Sequence, residues 1–71
     1  MGDYYCVNND HTRNPGLHHE VHTERHAKYL GIRNRTYLGY FEDCHSAVAK
    51  AKLFYADADG CAVCCPECHK G

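Results

Sequence analysis

The chain has 71 residues, a formal net charge of −1, six cysteines and seven histidines. That length leaves room for one small domain, 1–71, and a chain of this size buries only about 60% of its unfolded surface, so its apolar core alone is marginal. The near-neutral charge argues against a strong electrostatic grip on nucleic acid, which needs clustered cations; Arg33, Arg35, Lys50 and Lys52 read as a solvated face.

Met1 to Cys6 (M-G-D-Y-Y-C) carries neither the basic nor the apolar segment of a signal peptide, and Cys6 stands where a myristoylation site wants Ser or Thr. No run approaches the ~20 apolar residues of a membrane span. A soluble, cytoplasmic, monomeric protein is expected, in a compartment where paired cysteines hold metal more often than they form disulfides.

Asp3–Asn8 is rich in β-formers and predicts a first strand, with Cys6 a small buried residue within it. Asn9–Gly16 is turn chemistry ending in Asn-Pro-Gly. Leu17–Thr23 predicts a second strand, with Leu17, His19, Val21 and Thr23 on one face and His18, Glu20 and His22 on the other. Arg25–Asn34 reads as an irregular loop with Tyr29, Leu30 and Ile32 tucked against the core.

Arg35–Phe41 is the clearest strand, with Tyr37, Gly39 and Phe41 opposite Leu38 and Tyr40, and Gly39 suggests a bulge or a close neighbour. Asp43 can cap a helix running to about Tyr55, whose apolar stripe is Ala47, Val48, Ala51, Phe54 and Tyr55. Cys44 extends that stripe as a core thiol. Ala56–Gly60 ends the helix, with Gly60 available for a left-handed conformation. Asp57-x-Asp59-Gly60 lacks the remaining ligands of a calcium loop. Pro66 fits the start of a short helical turn carrying Cys68 and His69. The expected fold is α+β: a three-stranded antiparallel sheet, one α-helix and a C-terminal Cys-rich zinc knuckle.

The chemistry concentrates in that knuckle. Cys61, Cys64, Cys65 and Cys68 form two adjoining C-x-x-C pairs. Such spacing lets two thiolates point into one tetrahedral site. His22 and His26 offer the complementary pair, and the 34 residues between His26 and Cys61 are enough to bring the two ends together. The preferred set is a structural zinc site of His22, His26, Cys61 and Cys64. Cys65, Cys68 or His69 compete for places in it. Two further arrangements stay open, a second site from Cys44, Cys65, Cys68 and His69, and a disulfide framework.

A zinc-protease H-E-x-x-H is absent, because His19-Glu20-Val21-His22 is one residue short. Redox-active C-x-x-C motifs sit at helix starts in larger α/β domains. No enzymatic role is expected.

The order His22-x3-His26, Asn34-Arg35-x-Tyr37-Leu38-Gly39-x-Phe41, Ala47 in a helix, then Cys61-x2-Cys64 resembles the zinc-binding N-terminal domain of the Ada DNA-repair protein, over roughly residues 18–65. The resemblance implies an Ada metal-binding-domain-like fold with His22, His26, Cys61 and Cys64 as ligands. It does not carry over the methyl transfer: His22 stands where that family has its methyl-accepting cysteine, and imidazole is no equivalent. The chain also looks like a set of small uncharacterised bacterial proteins, matching at Tyr4 to Asn8, His19 to His22, Tyr37 to Phe41 and Gly60 to His69. That likeness implies a fold and a metal but no activity. The role these readings leave is a structural zinc module that binds nucleic acid or protein. The rival role is a thiol-reactive or metal-handling protein using the surplus Cys65 and Cys68.

Overall fold

The computed structural model describes residues 2–10 and 19–70. The elements run β1 (Asp3–Asn8), β2 (Glu20–Thr23), α1 (Glu24–Leu30), β3 (Arg35–Phe41), α2 (Cys44–Ala51), β4 (Asp59–Gly60) and a 3-10 turn (Pro66–Cys68). The sheet order is β3-β1-β2-β4, antiparallel except for the parallel β2–β4 pair. The expected three-stranded antiparallel sheet with one helix is therefore corrected to a four-stranded mixed sheet with two α-helices among the described residues. Leu17, His18 and most of the expected turn at Asn9–Gly16 lie outside the described residues.

The second helix arises where a loop was expected. Thr23 caps α1, its hydroxyl accepting from the His26 amide at 3.2 Å. Glu24 lies in the first turn and Lys28 in the last, each favourable to the helix dipole. Gly31, at φ 75°, closes the far end: its amide donates to Lys28 O and that of Ile32 to Ala27 O. Only Ala27 of this helix is buried, whereas Tyr29 and Leu30, expected in the core, are exposed.

β1 and β3 have the predicted bounds, and Gly39 marks the irregularity between them. Tyr5 pairs with Gly39 and Cys6 with Tyr37, leaving Leu38 as an extra residue. Gly39 has φ 115°, a conformation that L side chains rarely adopt. The bulge resets the alternation, so Leu38 is buried and Phe41 packs on the core while Tyr37 and Tyr40 stay exposed. Expected alternation without a slip put Phe41 and Tyr37 on one face.

Asp43 caps α2, accepting from the Ser46 amide at 3.0 Å. Ala47 and Ala51 are fully buried against Val7, Val21 and Leu38, and Val48 and Tyr55 pack on the same cluster. The helix stops at Ala51 rather than near Tyr55, where the Leu53 and Phe54 amides bond three residues back, to Lys50 O and Ala51 O, instead of four. That turn leaves Phe54 exposed. The Ser46 amide holds the Asp43 carboxyl below its ordinary pKa. A depressed carboxyl stabilises above its unfolded pKa of about 4, and the contribution is lost as pH falls through the folded value. Asn caps as well as Asp but does not titrate there. Asp43→Asn is thus expected to match the wild-type urea midpoint at pH 7, where both side chains cap the helix, whereas Asp43→Ala should fall below it.

Gly60 is not left-handed, and the reason for a glycine lies elsewhere. In β4, the Asp59 amide donates to His19 O and the Cys61 amide to Val21 O, at 2.9 and 3.0 Å. A Cβ on Gly60 would meet Cys68 Cβ at 2.7 Å and Cys68 C at 2.9 Å. Gly60→Ala should destabilise by about 1–3 kcal/mol through this overpacking, with an unchanged urea m-value.

Candidate metal centre

β4 determines where the knuckle lands. Its parallel pairing on β2 sets Cys61 beside Val21, one residue from His22. Thr23 ends the strand and starts α1, so His26 returns one helical turn later on the same side. The chain after Cys61 turns tightly, with the Cys65 amide donating to Cys61 O at 2.9 Å and the Val63 amide to Cys61 Sγ at 3.4 Å.

One ligand atom from each of His22, His26, Cys61 and Cys64 lies within 4.8 Å of the other three. Cys61 Sγ is 3.8 Å from His26 Nδ1, and Cys64 Sγ is 3.9 Å from His22 Nδ1. A tetrahedral zinc with bonds of about 2.3 Å to sulfur and about 2.0–2.1 Å to nitrogen sets sulfur–nitrogen edges of about 3.5–3.6 Å. Small inward shifts close the difference. These are the four residues selected from spacing.

The surroundings fit a cation. His22 and Cys61 are buried, and His26 and Cys64 half-buried. Among the described residues, His22 Nε2 is the one buried side-chain nitrogen or oxygen without a hydrogen-bond partner. It stands 3.8 Å from Glu20 Oε1. With Nδ1 turned to the sulfurs, Nε2 would carry the proton and face this carboxylate, an arrangement that orients metal-bound histidines. The Cys64 thiol is brought down to about 3, first by the Cys65 thiol donating to it and then by His22, the Thr23 amide and Cys61, against the effect of burial. Cys61 is shifted up, chiefly by burial. Cys65 is shifted up because its proton holds Cys64 and because it is buried. The half-buried Cys64 and His26 also line a cleft of about 640 Å³ with Tyr5, Thr23, Arg25 and Tyr29.

The competing ligands are placed elsewhere. Cys44 and Cys68 form a disulfide, with Cα atoms 6.3 Å apart. This corrects the expectation of a free core thiol at Cys44, removes Cys68 as a rival ligand, and rules out the second site of Cys44, Cys65, Cys68 and His69 in this form. His69 Nδ1 lies 3.0 Å from Gly60 O and 3.5 Å from Asp59 Oδ2. Cys65 is buried in the core. Cys6 is also fully buried, its thiol directed at His22 O and pushed up to about 12 by burial and by Glu24.

Two other groups qualify the sequence reading. Arg35 makes a two-pronged pair with Glu24, at 3.1 and 3.2 Å, and also donates to Ile32 O. It is therefore engaged within the fold rather than belonging to a free basic patch. His19 stacks on Tyr55 at 3.7 Å between ring centroids and bonds Asp57 Oδ1 at 2.7 Å. No helix among the described residues is long and apolar enough to cross a membrane. Comparison with family models, curated proteins and solved structures returns no match, so nothing ties the chain to the Ada family or to another named one.

Proposed function

We propose that the chain is a small zinc-binding module whose metal is structural and is held by His22, His26, Cys61 and Cys64. The observation that carries this reading is the convergence of four soft and borderline ligand atoms from two distant segments. Two thiolates and two imidazoles suit zinc among the common divalent ions. Four protein ligands complete a tetrahedron, which favours scaffolding over catalysis. A zinc there would clamp the C-terminal knuckle onto β2 and α1.

The outward role assigned to the module is binding a macromolecule, nucleic acid or protein. Tyr4, Tyr37 and Tyr40 are exposed on the neighbouring strands β1 and β3, and Tyr4 and Tyr40 meet edge to face at 5.3 Å. Exposed tyrosines serve both base stacking and protein contacts. Salt-dependent amide shifts at these positions with single-stranded oligonucleotides would select nucleic acid. In the oxidised chain the rival thiol-reactive reading has Cys68 bonded and Cys65 buried. A cytoplasmic setting rests on the four free cysteines and is opposed by the disulfide.

Native mass spectrometry with and without a strong chelator tests the metal. The expected result is one zinc per oxidised chain, with loss of folded amide dispersion on chelation. A metal-free chain that keeps its native spectrum would reject the reading.

A further inference from the structure

The Cys44–Cys68 disulfide lies apart from the four-ligand cluster, and the proposed function does not use it. Cys44 opens α2, and Cys68 closes the 3-10 turn packed beside it. His45 follows Cys44 on the first turn of α2 and is exposed. A sulfur from each cysteine and a ring nitrogen of His45 lie within 4.8 Å of one another. While the sulfurs are bonded to each other they are not thiolate ligands. Two electrons would change that.

We propose that reduction of Cys44–Cys68 uncovers a second metal site, in which the Cys44 and Cys68 thiolates and the His45 imidazole take a zinc ion. The redox step balances with a dithiol reductant: the S–S bond breaks, two thiols form, and the reductant closes its own disulfide. Zinc then displaces one proton from each thiol, and both protons pass to solvent.

Three features support a site rather than a mere pair of released thiols. Two sulfurs and one imidazole nitrogen form a donor set that zinc accepts with a fourth position left over. His45 and Cys68 line a cleft of about 240 Å³, which gives an ion its approach. Glu67 lines the same cleft but lies outside the three-donor group, so the fourth position falls to water. The two thiols also stay near each other without the bond. Cys44 is held by the Asp43 cap and by the buried Ala47 and Ala51, and Cys68 by its amide donating to Cys65 O at 3.0 Å. No residue is shared with His22, His26, Cys61 and Cys64, so the two sites load separately.

The test is a zinc titration followed by native mass spectrometry, on protein kept oxidised and on protein reduced with dithiothreitol and desalted without air. The expected result is one more zinc on the reduced chain than on the oxidised chain. The exposed His45→Ala should weaken that additional zinc at least tenfold and leave the oxidised stoichiometry unchanged. Cys44→Ser with Cys68→Ser should abolish the redox difference. If that double variant does not fold, His45→Ala decides, because it removes no buried contact. Equal stoichiometry in both redox states of wild type overturns the proposal, as does an additional zinc indifferent to His45→Ala. An outcome of no zinc oxidised and one reduced, lost in His45→Ala, would sink the four-ligand reading and leave this one standing.

Discussion

His22→Ala is expected to leave the chain unfolded or loosely folded at neutral pH, and Cys61→Ala to do the same. His22 is the largest fully buried side chain among the described residues, so its loss opens the core as well as removing a proposed ligand. A structural zinc contributes an apparent ~10–16 kcal/mol, whereas the core of so small a scaffold rarely supplies more than about 3–5 kcal/mol. Loss of one of four proposed ligands weakens that contribution, and so small a core has little with which to offset it. Amide NMR spectra and the zinc content of each purified variant provide the check. Native chemical shifts in either variant would show that the four residues are merely neighbours.

Breaking the disulfide should have the second-largest effect. Cys44 and Cys68 are 24 residues apart, and closing a loop of that size restricts the unfolded chain by about 3 kcal/mol. At about 4–8 °C per kcal/mol for a domain of this size, the Cys44→Ser, Cys68→Ser variant should melt roughly 12–24 °C lower. The comparison belongs in zinc-loaded protein, where the proposed metal would still join residues 22 and 26 to 61 and 64. A fall of only a few degrees would mean that the bridge adds nothing once the metal is in place.

What could be read from the sequence depended on how local its cause was. β1 and β3 are short runs of β-formers with turn residues at their ends, and their bounds were predicted as found. The Asp43 cap and the Pro66 turn are equally local. α1 also had its signals, Thr23 before it and Gly31 after it. Seven residues with one buried alanine present no apolar stripe, however, so periodicity gave no sign of a helix. β4 is two residues whose strand character comes wholly from pairing with β2. The Cys44–Cys68 bridge was hidden for another reason: six cysteines allow 15 complete pairings, and spacing does not choose among them. The candidate metal residues were selected because C-x-x-C and H-x3-H are local patterns. Their convergence, by contrast, depends on β4, which no pattern announced.

The slip at Leu38 has a consequence for solubility. β3 is one edge of the sheet and β4 the other. Open edges recruit further strands, and long flat ones nucleate aggregates. β3 is seven residues long, but the bulge at Leu38 and Gly39 bends it and breaks the straight run of backbone groups that an incoming strand would match. β4 protects its side by brevity, since two residues offer too short a template. Restoring β3 to a regular strand by deleting Leu38 would remove a core side chain and also leave a straight, tyrosine-rich edge open to like-with-like pairing.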